Sequence, residues 1–191
     1  VALKQELLEQ GRKFIVALLA EGNTDEGFDS GFELLGNVGF YMAACRRHGL
    51  TDHDIDQRSP LAEASGLAMQ LGANLGVAPR FATSHLSTHN RAIDGVYKSF
   101  TSLHDEHIFL EYNTRAILLF KAVAESLSKI LPLGISHPIV RDLLVSAERE
   151  LKAVLVCNEE LFERLDVEQF FYSVRPYLQP HSVGLHVYTG S

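Results

Sequence analysis

The sequence predicts an all-α protein, a helical bundle with little or no sheet. Apolar residues recur with a 3.6-residue period through most of the chain, which is the spacing that gives a helix one buried face. Glycine and proline residues interrupt this period at intervals, as they do where helices end. The chain contains no convincing run of strands, no internal repeat and no low-complexity tract.

The first two helices are predicted from their apolar period and from the residues that end it. The first begins at Leu3 and ends at Gly22, and the second covers about residues 32–47 and ends at His48. Their apolar positions are Leu3, Leu7, Phe14 and Leu18, with Leu8, Ile15 and Leu19 beside them, and then Leu35, Val38, Met42 and Cys45.

Prolines mark the expected starts of the next two helices. Pro60 suits the first turn of a third helix running to about Asn74, because a proline there loses no helical hydrogen bond. Pro79, after the break at GVAP, is expected to open a short fourth helix that ends near Asn90.

The second half of the chain predicts two long helices and a short one. The first covers about residues 106–130, and Pro138 is expected to start the second. Asp166 followed by Gln169 predicts a capping box, in which each side chain bonds the other residue's backbone, at the start of the short helix. The apolar face of the first long helix comprises Phe109, Tyr112, Ala116, Leu119, Val123 and Leu127, and that of the second comprises Leu143, Leu151, Val154, Leu155 and Leu161.

Composition indicates one compact helical domain, residues 1–191. A chain of 191 residues that is 46% hydrophobic can bury a continuous core, and a small N-terminal lobe over residues 1–50 is left open. A formal net charge of −7 argues against a nucleic-acid partner, because such proteins concentrate Lys and Arg on one face.

Cysteine usage and the N-terminal charges predict a cytoplasmic protein with no membrane partner. Cys45 and Cys157 lie far apart in apolar helical patterns, which fits buried thiols in a reducing compartment better than a disulfide. Charged residues also interrupt the apolar N-terminal stretch, so it is neither a signal peptide nor a membrane span. These charges are Lys4, Glu6, Glu9, Arg12 and Lys13.

The familiar nucleotide, zinc and dithiol motifs are missing: the sequence has no GxGxxG, GxxxxGK[ST], CxxC or HExxH. His85 and His89 stand four residues apart and could present two imidazoles to one metal, although such a pair is more often one buried and one exposed histidine. Ser84 lies beside His85 in sequence and would point about 100° away from it on a helix, which argues against a serine nucleophile.

Arg175 is set among aromatic residues in the stretch FFYSVRPYLQP, and two interpretations of it stay open. An arginine after an aromatic pair is usually a surface side chain that lays its stem on the core. Pro176 disfavours a helix that continues through Arg175, so the guanidinium instead lies where a helix ends, often at the wall of a cavity.

Four segments, in order, resemble the indoleamine 2,3-dioxygenase superfamily of haem enzymes. They are GFELLGNVGFYMAACRRHGL, LGVAPRFATSHLSTHNR, SFTSLHDEHIFLEYNTRAILLFKA and FFYSVRPYLQPHSVGLHVYTGS. The first resembles more narrowly the branch that contains monodechloroaminopyrrolnitrin synthase and the haem-dependent tyrosine hydroxylases. The resemblance covers about residues 32–190, and it implies that residues 51–191 carry the distal haem pocket and the substrate-binding helices.

Residue by residue, the resemblance implies a substrate site. Arg175 matches the arginine that pairs with the carboxylate of an amino-acid substrate, which a guanidinium can hold with two donors. His85 replaces an apolar residue of the dioxygenases and is the candidate catalytic acid-base group. The remaining matches are Phe170 and Phe171 as substrate-flanking aromatics, Phe81 and Ser84 on the distal side, Phe109 and Tyr112 on the next helix, and Thr88 and His89 as second-rank candidates.

The resemblance implies haem b, with iron, as cofactor and an aromatic amino acid as substrate. Because an imidazole can hydrogen-bond a phenol, the interpretation favoured here is 3-hydroxylation of L-tyrosine to 3,4-dihydroxyphenylalanine with dioxygen or hydrogen peroxide. Two alternatives remain: a pyrrolnitrin-type rearrangement of a chlorinated tryptophan, and a non-catalytic helical protein that binds an aromatic ligand or a partner. A homo-oligomer is left open.

The proximal iron ligand is expected after Ser191. In this superfamily the ligating histidine follows the Tyr-x-Gly segment, which here stands at the end of the sequence. His181 and His186 lie in the irregular stretch before that segment, where the family does not place its ligand.

Overall fold

A computed structural model describes most of the chain as α-helix, and the all-α prediction is confirmed. The chain divides into two compact units, one formed by residues 1–90 with 171–191 and the other by residues 91–170. The interpretation of residues 1–191 as one domain stays a prediction. The residues that the structure describes are 2–22, 27–50, 61–80, 83–90, 97–178, 181–183 and 186–188.

Among the described residues, the first unit includes four complete helices, a short 3₁₀ helix and a small hairpin. The two strands of the hairpin pair antiparallel, and their three-residue length is too short for an alternating pattern to reveal them in the sequence. The elements are α1 (Ala2–Glu21), α2 (Phe28–Arg47), α3 (Ala62–Leu75), α4 (Thr83–Thr88), the 3₁₀ helix (Arg175–Leu178), β1 (His181–Val183) and β2 (His186–Tyr188).

Helices α1, α2 and α3 pack around one apolar core. The predicted face of α2 is buried as expected, and Leu35, Leu67 and Leu71 are fully enclosed. In α1 the buried side chains are Leu8 and Ile15, because apolar residues cover more of this helix than its neighbours can bury. The prediction that Leu3, Leu7 and Phe14 belong to the core is therefore wrong; these side chains are exposed.

A glycine lets α1 approach α2 closely. The Tyr41 hydroxyl of α2 donates a hydrogen bond to the Leu8 carbonyl oxygen at 2.8 Å, and a Cβ added at Gly11 would lie 2.2 Å from the Tyr41 ring. Burial raises the pKa of this tyrosine well above its usual value, so its hydroxyl stays protonated and can donate.

The chain turns back over the end of α3 before α4 begins. Gly76 takes a left-handed conformation, with φ 67°, that suits glycine at a helix end. The backbone of Pro79 then packs on Gly72, where an added Cβ would meet the proline Cα at 2.9 Å. Because Pro79 belongs to this turn, the prediction that it opens a helix is wrong, and α4 begins at Thr83.

The other predicted boundaries differ less from those observed. Helix α2 begins at Phe28, four residues earlier than expected, and ends at Arg47 as predicted. Pro60, the expected start of the third helix, lies outside the described residues.

The second unit is built on a pair of long helices, α5 (His104–Leu133) and α6 (Val140–Arg164), and α7 (Val167–Ser173) begins in it. The core between α5 and α6 contains Ile108, Tyr112, Ala116, Val154 and Cys157. Leu151 and Leu155 are exposed, so the buried face of α6 is narrower than its predicted apolar face.

Carboxylates, of which Glu106 and Asp105 are buried, fix the starts of α5 and α7. Glu106 accepts hydrogen bonds from the backbone N–H groups of Phe100, at 2.6 Å, and Thr101, at 2.7 Å. Asp166 accepts from the Gln169 N–H at 2.9 Å, as predicted for the start of α7. The second hydrogen bond of the predicted capping box, from the Asp166 N–H to the Gln169 side chain, is wrong. The Asp166 N–H instead donates to the buried Asp105 carboxylate at 2.8 Å.

Both cysteines are buried thiols without a disulfide, as predicted. Within the described residues, every helix is too short or too polar to span a bilayer.

Candidate functional site

The catalytic candidate His85 lies half-buried in α4, a six-residue helix of the first unit. Its Nδ1 atom is 3.2 Å from the carbonyl oxygen of Arg80. A carbonyl oxygen can only accept, so this contact favours the neutral tautomer with the proton on Nδ1. Nε2 is then the nitrogen that can take a proton from, or return it to, a substrate.

Burial lowers the pKa of His85 below its ordinary value of 6.5. Desolvation is the largest cause, and the nearby His89 and Arg80 lower the pKa further because they disfavour a second positive charge. The hydrogen bond to the Arg80 carbonyl acts in the opposite direction. The net effect keeps the imidazole neutral at physiological pH, which is the state a general base needs.

Three aromatic rings, including that of His85, meet at this point. Phe32, which is buried in α2, contacts the His85 ring edge-on at a centroid distance of 5.2 Å and stacks on His89 at 4.1 Å. The two imidazoles lie 6.0 Å apart and nearly perpendicular. The second-rank candidates also meet, since the Thr88 hydroxyl lies 2.7 Å from Nδ1 of His89. Phe32, His85 and His89 are called the three-ring cluster below.

Two distal-side candidates cannot be compared with this geometry. Phe81 lies outside the described residues, and for Ser84 only its place in α4 is described. Their assignments stay predictions.

The carboxylate-binding candidate Arg175 is the first residue of the 3₁₀ helix, and its side chain is exposed. Its guanidinium lies over the ring of Phe171, 4.9 Å from the centroid, as a cation–π pair. Phe171 also meets the Tyr172 ring edge-on at 5.2 Å. Helix α7 ends at Ser173 and Pro176 lies within the 3₁₀ helix, so the predicted break at Arg175 is confirmed.

The segment that carries Arg175 is held on both sides. Val174 is 1% exposed, and its carbonyl oxygen accepts a hydrogen bond from the Tyr177 N–H at 3.0 Å. The Tyr177 hydroxyl lies 3.4 Å from Nε2 of His48, and the Arg47 guanidinium faces the Tyr177 ring at 6.0 Å. These contacts hold the 3₁₀ helix at the end of α2.

The remaining candidates lie in the second unit. Phe109 of α5 packs on Phe170 at a ring-centroid distance of 4.6 Å. Tyr112 is 3% exposed in the core of α5 and α6, with the guanidinium groups of Arg115 and Arg164 at 5.0 and 5.7 Å from its ring centroid. The structure thus brings Phe109 and Phe170 together and encloses Tyr112 in a core. Their roles in binding stay predictions.

Sequence reasoning missed two supporting sets of residues. Phe32 supports His85, and the group of Arg47, His48 and Tyr177 supports Arg175. Each set joins residues from distant parts of the chain. Phe32 has only the signal of an ordinary buried helix position. Tyr177 was visible as an aromatic two residues after Arg175, although nothing in its spacing indicates His48.

The three-ring cluster contains the side-chain types that one side of a haem site needs. A haem slot needs apolar walls with a few placed polar groups, and the three-ring cluster offers a half-buried imidazole packed on a buried phenylalanine. No group of three metal-ligating side chains occurs among the described residues. His181 and His186 are described only as members of β1 and β2, and the expected axial ligand after Ser191 stays a prediction.

Comparison with known proteins and families identifies the family of the chain. No curated protein matches the chain. The family model of monodechloroaminopyrrolnitrin synthase PrnB matches residues 1–191, which confirms the branch that the sequence resembles. The family consists of haem-dependent oxygenases that act on aromatic, tryptophan-derived substrates, and its cofactor is haem b with iron. The chain therefore belongs to the monodechloroaminopyrrolnitrin synthase PrnB family.

Proposed function

We propose that this chain binds an aromatic amino acid derived from tryptophan and positions it for haem-dependent oxygenation, with Arg175 as the carboxylate-binding residue. The observation that carries the proposal is the environment of that guanidinium. Within the described part of the chain, its contact is the Phe171 ring, and no carboxylate or carbonyl oxygen accepts from it. Its five N–H donors are therefore available to a ligand.

A guanidinium in this setting is suited to an amino-acid carboxylate. Its planar fork donates two parallel hydrogen bonds to the two carboxylate oxygens, which fixes orientation as well as position. The Phe171 ring covers one face of the fork and limits the directions from which a ligand can approach. Val174 and Tyr177 hold the backbone on either side of Arg175, so little ordering is left to the moment of binding.

His85 is proposed as the residue that handles the proton. With Nδ1 directed at the Arg80 carbonyl, Nε2 accepts a proton from the substrate's ring or amine and returns it after the reaction. Haem, when bound, supplies the oxidising chemistry that no side chain can supply. The chain's own residues orient the substrate, exclude water from its ring and move one proton.

A second candidate function is 3-hydroxylation of L-tyrosine to 3,4-dihydroxyphenylalanine. The observation that favours it is the neutral imidazole of His85, because a neutral ring nitrogen can accept a hydrogen bond from a phenol. The family's tryptophan-derived substrates favour the first candidate. Dioxygen or hydrogen peroxide as the oxidant, a homo-oligomer and a cytoplasmic location stay predictions.

The test is a ligand titration of the haem-loaded protein, in which binding is measured as a change in Soret absorbance. L-tryptophan, a chlorinated tryptophan, L-tyrosine and the two decarboxylated amines, tryptamine and tyramine, are compared at one pH. We expect each amino acid to bind about 10- to 100-fold more tightly than its amine, the range of 1.5–3 kcal/mol for hydrogen bonds to a charged group. Equal affinities for acids and amines would remove Arg175 from carboxylate recognition.

Product analysis in the same preparations separates the two reactions. We expect turnover of the tryptophan-type substrate and little hydroxylated tyrosine. Conversion of tyrosine alone would select the second candidate, and haem-loaded protein that binds the amino acids without converting any would select the non-catalytic alternative.

A further inference from the structure

Phe32 lies at the contact between the first-unit core and His85. No sequence pattern assigns it a function. It is 3% exposed and packs in the core of α1, α2 and α3. Its ring touches both imidazoles of the three-ring cluster, edge-on to His85 at an interplanar angle of 72° and stacked on His89 at 13°. One core residue therefore contacts two rings, one in α4 and one directly after it.

Helix α4 cannot hold those rings by itself. It has six residues, too few for a helix that is stable in isolation, so the orientation of its side chains depends on packing. Leu86 and Ser87 are buried and anchor its backbone. Two contacts bear directly on the plane of the His85 ring: the Arg80 carbonyl at Nδ1 and the edge-on Phe32 ring.

We infer that Phe32 is a positioning residue for His85, acting through its edge-on contact with that ring and through the stacked ring of His89. Aromatic pairs prefer edge-to-face or offset arrangements, and they stabilise one another beyond the burial of their surface. The two contacts restrict the ring torsion of His85, so Nε2 points in one direction. This inference rests on the proposed role of His85 in catalysis.

The same packing keeps water from the imidazole. His89, which directly follows α4, and Arg80 of the preceding turn both lower the pKa of His85 electrostatically. Phe32, from the facing helix α2, is uncharged and adds only desolvation. Removal of its ring should therefore change the orientation and hydration of His85 without changing any charge.

The test compares Phe32→Leu with the matched control Val38→Ala. Both positions belong to α2 and to the same core, so each change should lower stability by removing buried apolar volume. Val38 serves as the control because its loss disturbs the core without removing an aromatic ring. Phe32→Met is a second variant of nearly conserved volume, in case the leucine variant does not fold.

Two measurements are made on each variant. The first is NMR of ¹³C-labelled histidine as pH is varied, with resonances assigned from His85→Gln and His89→Gln. The second is turnover of the haem-loaded protein per folded molecule. For Phe32→Leu we expect displaced His85 and His89 resonances, a His85 pKa closer to 6.5, and a turnover loss of about 10- to 100-fold, the range for misplaced catalytic groups. Val38→Ala should show none of these changes.

The outcomes separate the inference from the function on which it rests. Unchanged imidazole resonances in folded Phe32→Leu and Phe32→Met would overturn the positioning role. Displaced resonances with wild-type turnover would also overturn it, because the position of His85 would then not matter to the reaction. The His85→Phe variant tests the catalytic role separately, so a failure there is not mistaken for a failure of Phe32.

Discussion

The histidine site and the arginine site, both in the first unit, are supported in opposite ways. His85 is half-buried, lies on a buried aromatic ring and is tied at Nδ1 to a backbone carbonyl. Arg175 is exposed, and the structure holds its backbone through Val174 and Tyr177 while its guanidinium meets only an aromatic face among the described residues. One side chain is fixed through its ring and the other only at its base.

The difference follows from what each group is proposed to do. A proton-transfer group needs a tuned pKa, and burial is the means by which a protein lowers that of an imidazole. A carboxylate-binding group needs unused donors, which contacts inside the protein would consume. The comparison therefore predicts that substitutions at the two sites alter different measurements.

The largest expected effect is that of His85→Phe on turnover. The phenyl ring keeps the aromatic packing on Phe32 but has no nitrogen to move a proton, so we expect the folded, haem-loaded variant to lose roughly 10²- to 10⁴-fold in kcat. Ligand affinity through Arg175 should change little. Product formation, Soret absorbance and melting temperature are measured on one preparation.

The matched control for that variant is His104→Phe, which changes an exposed histidine at the start of α5. It should keep wild-type turnover. Near-normal turnover of His85→Phe would remove His85 from the mechanism, and loss of haem from it would indicate that His85 is an iron ligand.

Arg175→Leu should produce the next largest effect. It should change the affinity for the amino acid and not proton transfer. Leucine keeps apolar bulk over Phe171 but removes the donors, so we expect binding of the amino acid to weaken by about 1.5–3 kcal/mol. Binding of the corresponding amine, which has no carboxylate, should stay nearly unchanged. Soret titrations with tryptophan and tryptamine measure both affinities.

Two variants sharpen that result. Arg175→Lys keeps a charge without the planar fork and should fall between leucine and wild type. Arg149→Leu removes an exposed arginine of α6 and serves as the control, with no expected change in affinity. If Arg175→Leu weakened the acid and the amine equally, the residue would act on general packing and not on the carboxylate.

Local patterns predicted the helices because period and breakers act over a few residues. The buried face of α2 and the break before Pro176 depend on such short-range rules and were correctly expected. The start of α4 was not correctly expected, because its position depends on how the turn at Pro79 packs on Gly72. The exposed side of α1, likewise, is decided by which neighbours cover it.

For the candidate site, sequence could name residue types but not their supports. The contacts of Phe32 with His85 and of Tyr177 with His48 join positions more than fifty residues apart, and no periodicity encodes such pairs. The cap of α7 shows the same limit: the Asp166 N–H bonds the carboxylate of Asp105, 61 residues away, instead of its local partner.

The smallest expected effect is on the pH dependence of stability, and it again separates the two sites. The pKa of His85 is lowered in the folded protein, mainly by burial, so between that pKa and 6.5 the unfolded chain binds more protons. The free energy of unfolding should therefore rise with pH across this window and gain nothing further from His85 above pH 6.5. Urea unfolding from pH 4.5 to 7.5 measures this slope in wild type, His85→Phe and Arg175→Leu. The phenylalanine variant should show a shallower slope because it has lost the buried titrating group, whereas the leucine variant should keep the wild-type slope because arginine does not titrate in this range. Parallel slopes in wild type and His85→Phe would mean that His85 is as well hydrated in the folded chain as in the unfolded one, and the contrast between a buried and an exposed site would be lost.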